Sequence, residues 1–199
     1  LGHTLDDQAE QVLLGLVRGS GARSLSGMPA ARGRYRRPLL GVTHSQCRRS
    51  CSDQGLPWVE DPMNADPRFA RVRARALLAE LEHGLGPGVV SGLARSAELL
   101  RDDADHLEHL AEVAVETLGA GPWPAEQLGR LPRAVRGRVW RRLIVAAGAP
   151  AGQVGSRHAD ACDRLLADWQ GRGPVHVPGG LLVSRSDDLV GITPPPRVE

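Results

Sequence analysis

From Asp7 onward the apolar residues Ala9, Val12, Leu13, Leu16 and Val17 recur at helical spacing, with acids in the first turn and Gly19 past the end. A helix from about Asp6 to Arg18 is expected. An extended piece at Arg34–Leu40 precedes Thr43-His44-Ser45-Gln46, a capping-box pattern that predicts a second helix closing near Gly55. Leu56–Val59 reads as a short buried strand, and Glu60–Pro67, with two prolines and Asn64, as a loop. A basic helix is expected over about Arg68–Glu82. Helices alternating with short extended pieces form the pattern of the tail end of an α/β domain.

Gly84, Gly86, Pro87 and Gly88 interrupt the pattern, so residues 83–88 are expected to be a linker between a domain at 1–82 and another at 89–199. In the second part, Val90, Leu93, Ala97, Leu100, Ala104, Leu107, Ala111, Ala114 and Leu118 keep an unbroken 3-4 spacing. That predicts one helix of about 30 residues packing through a narrow seam. After a break at Gly119–Pro124, helices are expected near Arg133–Ala147 and Ser156–Trp169. Pro174–Val177 and Leu181–Arg185, separated by Gly179-Gly180, predict a β-hairpin with a third short strand at Leu189–Ile192. Pro194–Pro196 should fray. The second part therefore reads as mainly α-helical with a terminal β-hairpin.

Charge adds a second layer to this picture. All 25 basic residues are arginine, against 23 acids, for a formal net charge of +2. A GC-rich coding bias accounts for that usage, and arginine's planar fork also suits phosphate and base contacts. The stretch Glu98–Glu116 holds seven acids and one Arg, whereas Arg130–Arg142 holds six Arg and no acid. These predict two oppositely charged helical faces, which either attract each other or leave the arginine face for nucleic-acid phosphate. Three cysteines are too few for a disulfide framework, and Cys47-x-x-x-Cys51 is neither a zinc-ribbon nor a CxxC signature, so a reducing, cytoplasmic setting is expected. No apolar run approaches a membrane span. The chain opens Leu1-Gly2-His3 without Met, with a dense motif at its third residue, and is expected to be a piece of a longer protein.

That motif, His3-Thr4-Leu5-Asp6-Asp7-Gln8-Ala9-Glu10, sets an imidazole and two adjacent carboxylates where a loop becomes a helix, with Glu10 one turn on. Such oxygens suit a hydrated magnesium ion beside a nucleotide phosphate. Acids in a first helical turn are also ordinary caps that complement the helix dipole. The same two readings apply to Arg18-Gly19-Ser20-Gly21: a glycine helix stop, or a place where backbone approaches a ligand closely. Trp58, between Leu56 and Val59, is expected in a core rather than stacked on a base. His106 and His109, on the acidic helix, are expected at the surface.

Five short motifs in order, namely His3 to Glu10, Arg18 to Gly21, Arg37-Pro38-Leu39, Trp58 to Pro62 with Asn64 and Asp66, and Arg71-Val72-Arg73, resemble the bacterial tRNA(Ile)-lysidine synthases of the PP-loop ATP pyrophosphatase group. The likeness is good over residues 1–82 and looser beyond, where Pro178-Gly179-Gly180 fits the turn that closes the family's helical domain. The fold so implied is the C-terminal part of a Rossmann-like PP-loop domain followed by a helical substrate- and tRNA-binding domain. Gln11, where the family usually has Thr, and Ala79, near which it has proline, depart from the pattern without removing an ionisable group.

The resemblance implies an enzyme that spends ATP to adenylate O2 of the wobble cytidine in a tRNA(Ile) with a CAU anticodon. The amine of free lysine then displaces AMP. It implies His3, Asp6, Asp7 and Glu10 as the catalytic set, Asp6 and Asp7 near Mg2+, Arg18, Gly19, Ser20 and Gly21 at the nucleotide, and Arg37, Arg71, Arg73 and Arg75 on the nucleic acid. A homodimer is compatible with it. The SGGxDS loop that grips ATP phosphates in the family precedes this motif there and is not among these 199 residues, so the chain alone is expected to be inactive. Two rival readings are another PP-loop tRNA enzyme, such as a 2-thiolase, and a non-catalytic RNA-binding helical module.

Overall fold

The computed structural model describes residues 1–167, 169–171 and 173–194; Pro195 and Pro196, expected to fray, lie outside them. Two compact units divide at Ala104 and Asp105, inside a single 30-residue helix, α5 (Val89–Leu118). The glycines at 86 and 88 form a turn between α4 (Ala70–Leu85) and α5. No described helix is long and apolar enough to cross a membrane.

The first unit holds α1 (Leu5–Val17), α2 (Ala22–Leu25), a hairpin of β1 (Ala31–Arg32) and β2 (Tyr35–Arg36), α3 (His44–Asp53), a 3₁₀ turn (Pro62–Ala65), α4 and the start of α5. Its interior is small. Ala9 and Val12 of α1 and Ala74 and Leu78 of α4 are buried where those helices pack together. Both expected helix starts carry their caps: Thr4 opens α1 with Asp7 as its capping-box partner, and Thr43 opens α3 with Gln46.

Two expectations fail here. Leu56–Val59 forms no strand, and Leu56, Trp58 and Val59 are exposed, so Trp58 does not fill a core. A strand needs a neighbour to take its N–H and C=O groups, which an apolar run by itself does not supply. The extended piece placed at Arg34–Leu40 is instead a two-residue-stranded hairpin ending at Arg36, followed by turns. Among the described residues of this unit the only strand pairing is β1 with β2, antiparallel, and no Rossmann-like parallel sheet is found.

The second unit is built as its pattern predicts. Helices α7 (Arg133–Ala146) and α8 (Ser156–Ala167) cover an antiparallel sheet in which β4 (Val175–Val177), β5 (Leu181–Ser186) and β6 (Leu189–Thr193) lie in sequence order. Two elements escaped the sequence reading: β3 (Trp123–Pro124), which pairs with β6, and the short α6 (Ala125–Arg130). Both sit beside a Gly- and Pro-rich stretch that masks periodicity. Trp140, Val139, Ile144, Leu128, Cys162, Val183 and Val190 form one closed apolar core. At the turn between β4 and β5, Gly179 has φ +83° and comes so near the Ala149 backbone that a Cβ would lie 3.1 Å from its Cα, a place that only glycine fits.

The opposite charges meet within this unit. Arg142 bonds Glu108 at 2.9 Å and reaches Glu112 at 3.5 Å, while Arg138 reaches Glu108 at 3.8 Å. Arg136 grips Asp163 with two 2.8 Å bonds, and Trp140 donates Nε1–H to the same carboxylate. That bidentate pairing pushes the Arg136 guanidinium further up. Arg130 and Arg133 also have acidic partners, Glu126 and Asp160. Attraction between the two faces accounts for Arg138 and Arg142, whereas Arg130, Arg133 and Arg136 pair with acids outside the Glu98–Glu116 stretch.

Candidate active site

The start of α1 builds one wall of a cleft. Thr4 ends its extended approach as the N-cap, and its backbone N–H donates to Asp7 Oδ2 at 2.7 Å while its hydroxyl donates to the same oxygen at 3.0 Å. Asp7 is therefore held against its own helix end. One position earlier, Asp6 Oδ2 accepts the backbone N–H of His44 at 2.7 Å, which caps the first turn of α3 from outside. The Leu5 N–H donates to the Val42 carbonyl at 2.9 Å, a second tie between the two helix entrances. Together these bonds fix α1 and α3 at the angle that opens the cleft.

The cleft encloses about 740 Å³ and takes in Asp6 and Asp7 from α1, His44, Cys47, Arg48 and Cys51 from α3, Trp58 to Pro62 and Asn64 from the loop, and Arg75 from α4. The carboxylates of the motif thus serve as caps and also line a cavity. His44, Cys47, Arg48 and Cys51 were not taken together as a site in the sequence, although their i, i+3, i+4, i+7 spacing after a capping box assigns them to one helical face. Arg48 and Glu60 pair across the rim.

Glu10 lies one turn below, with no exposed surface. Arg75 Nε donates to its Oε1 at 2.7 Å, and Arg71 stands 3.8 Å from Oε2, which accepts no hydrogen bond. Burial pushes the Glu10 carboxyl above the usual range, and Arg75 pulls part of the way back. Arg71 also donates to Gln11 Oε1 at 2.9 Å, so the departure at Gln11 supplies a partner for that arginine. Arg73 instead donates to the carbonyls of Pro67 and Arg68 and clasps the entry to α4.

The remaining motif residues sit elsewhere. His3 is outside the cleft lining, with Nδ1 accepting from Arg37 Nε at 3.2 Å, while Arg37 NH1 donates to the Pro29 carbonyl at 2.9 Å. That bond leaves the ring's proton on Nε2. Arg18 to Gly21 lie at the far end of α1, about 20 Å from Asp6 at the rise of an α-helix. Ser20 N–H donates to the Gly15 carbonyl and Gly19 N–H to that of Leu16, with Gly19 at φ +64°. This is a Schellman helix stop, and its backbone donors are spent on the helix.

Gln8 has a role that no local pattern signals. Its buried side chain donates to the Met28 carbonyl at 2.9 Å and accepts the Met28 N–H at 2.6 Å. Gly27 sits against it at φ +63°, where a Cβ would fall 2.6 Å from Gln8 Oε1. Gln8 and Gly27 form a lock that holds the segment after α2 onto α1.

Residues 1–82, which supply every residue of this cleft, match the PP-loop domain family. Over nearly all its residues the chain is homologous to tRNA(Ile)-lysidine synthases. It is 50% identical over 191 residues to the synthase of Streptomyces coelicolor, covering 93% of this chain and 54% of that protein. The Thermobifida fusca synthase is 48% identical over 96% of this chain and 60% of its own length, and that of Salinispora tropica 44% identical over 99% and 62%. The chain thus spans a little over half the length of these relatives.

Proposed function

We propose that this chain carries the carboxylate side of an ATP-dependent tRNA(Ile)-lysidine synthase site together with RNA-binding surface. The observation that carries the reading is that Asp6 and Asp7 share one cleft with the Trp58–Asn64 loop and Arg75, which gathers two of the five family motifs in one place. The Rossmann-like sheet of the PP-loop fold belongs to this proposal. So does a cytoplasmic setting.

In the proposed reaction, O2 of the wobble cytidine attacks the α-phosphorus of ATP and pyrophosphate leaves. The lysine amine then attacks C2, loses a proton, and AMP departs with O2. Cytosine O2 is a weak nucleophile and pyrophosphate a highly charged leaving group, so fixed donors and charges carry most of the catalysis. Asp6 and Asp7 each commit Oδ2 to a backbone or hydroxyl donor and line the cleft. One of them orients the incoming ammonium of lysine and takes its proton. Arg75, fixed by buried Glu10, presents its guanidinium at the cleft, where it holds phosphate. His3, held through Nδ1 by Arg37 beside the segment that leads into Asp6, donates to a phosphate oxygen.

Mg2+ fits this donor set. Among the described residues no three His, Cys, Asp or Glu side chains form a ready-made cage, and Mg2+ is held by one or two carboxylates with water and phosphate oxygens supplying the rest. Asp6 and Asp7 would hold it, and when bound it would neutralise charge on the leaving phosphates. A 2-thiolase reading has less support, because the homologues along the chain are lysidine synthases.

The test is mass spectrometry of a CAU-anticodon tRNA(Ile) incubated with isotopically labelled lysine, ATP and either the full-length gene product or these 199 residues. Label at the wobble cytidine with the full-length protein and none with the 199 residues is the expected pair of results. No label with either would overturn the reading.

A further inference from the structure

Between Glu10 and Asp53 the chain has eight arginines and not one Asp or Glu. Four of them, Arg32, Arg34, Arg36 and Arg37, crowd into six residues around Tyr35, the protein's sole tyrosine. They form the β1–β2 hairpin, in which Arg32 pairs with Tyr35 and Ala31 with Arg36. Gly33 opens the two-residue turn at φ +55°, the positive φ such a turn requires at that position. Arg36 NH1 donates to the Gly33 and Tyr35 carbonyls and stiffens the tip.

The side chains face outward. Tyr35 is 47% exposed; the Arg34 guanidinium lies 5.4 Å from its ring centroid. A shallow groove of about 510 Å³ runs beside the hairpin, edged by Arg32, Arg34, Tyr35 and Arg37. None of Arg32, Arg34 or Arg36 has an acidic partner among the described residues, in contrast to the paired arginines of α7. A charged hairpin with no counter-ions and an outward aromatic ring matches a partner that offers repeated negative charge and flat faces to stack on. Single-stranded nucleic acid offers both. At the hairpin's base Arg37 bonds His3 at 3.2 Å, which ties this surface to the segment that leads into Asp6 and Asp7.

We infer that the Ala31–Arg36 hairpin is an RNA-gripping arm: Arg32 and Arg34 bind phosphates of a single-stranded loop, and Tyr35 carries one of its bases. The proposed function enters only as the choice of RNA, a stem-loop with a CAU loop.

Binding of this fluorescently labelled stem-loop by the 199-residue chain is measured by anisotropy at several salt concentrations, beside its fully paired duplex and polyglutamate. Tyr35→Ala is expected to weaken stem-loop binding about tenfold, as loss of one stacked base does, and Tyr35→Phe to leave it unchanged. The double variant Arg32→Gln with Arg34→Gln should lower the salt slope by about 1.4, from two single-strand phosphates at about 0.7 each. The inference is overturned if Tyr35→Ala binds like the wild type. It is equally overturned if polyglutamate binds as tightly as the stem-loop, which would make the arm a site for acidic protein. If instead the full-length protein makes no lysidine while Tyr35→Ala still loses the stem-loop, the proposed chemistry fails and the arm stands.

Discussion

The two units solve the problem of internal order in opposite ways. In the second, a closed cluster around Trp140 buries large apolar side chains, and just three large hydrophobics among its described residues, Leu110, Val113 and Leu189, stay exposed. In the first, the buried apolar residues are few, all the buried polar residues among those described (Thr4, Gln8, Glu10 and Ser26) lie there, and Leu56, Trp58, Val59, Met63, Phe69 and Leu85 face outward. One unit is a packed scaffold held by area removed from water. The other is held by directed hydrogen bonds around a cleft, the arrangement that positions polar groups for chemistry at the expense of packing.

The sharpest way to break this contrast is to cut each unit where it is strongest. Trp140→Ala removes a fully buried indole and the N–H bond to Asp163, and should cost about 3–5 kcal/mol in urea unfolding. A cost below about 1 kcal/mol would mean that the second unit is not held by its core. In the first unit, Gln8→Ala strands the Met28 N–H and carbonyl and should cost about 1–3 kcal/mol. Gly27→Ala, placed at φ +63° against Gln8, should cost a similar amount, and the pair together less than their sum.

That asymmetry explains how much was legible. Hydrophobic period reports burial, so α5, α7, α8 and the terminal hairpin could be read residue by residue in the second unit. The same reading misplaced Leu56–Val59, because an apolar run says nothing about whether a partner strand is present. Caps follow local rules, and Thr43 with Gln46 was legible for that reason, whereas Thr4, whose partner three residues on is Asp7 rather than Glu or Gln, was not. The site was legible in its carboxylates but not in its supports. The Gln8 to Met28 clasp, the Asp6 bond to His44 and the Glu10 to Arg75 pair span 20, 38 and 65 residues, distances over which no local pattern carries information. Arg37 and Arg73, expected on nucleic acid, spend guanidinium bonds on backbone carbonyls and His3, a use equally invisible in one dimension.

A gentler probe is pH. Because burial raises the Glu10 carboxyl in the folded chain above its unfolded value of about 4.5, the folded state holds that proton to higher pH. Its contribution to stability is complete below about pH 4.5 and falls as pH rises through the folded value. Glu10→Gln lacks that fall, so its melting temperature should gain on the wild type from pH 4 to pH 7. A gap that widens in the other direction would mean that Arg75 more than repays the burial. Smallest of all, Val59→Ser at a 94% exposed position should change stability by less than about 0.5 kcal/mol; a loss above 2 kcal/mol would restore the buried strand.

The carboxylates at the head of α1 carry the proposed chemistry. Asp6→Asn and Asp7→Asn keep an acceptor for the His44 and Thr4 N–H groups while removing the charge. Lysine- and tRNA-dependent release of AMP by the full-length gene product should fall at least 100-fold in one or both, roughly the 10²–10⁴ that a positioned acid–base group supplies, with the melting temperature nearly unchanged. Wild-type AMP release from both variants would show that these side chains are helix caps and nothing more.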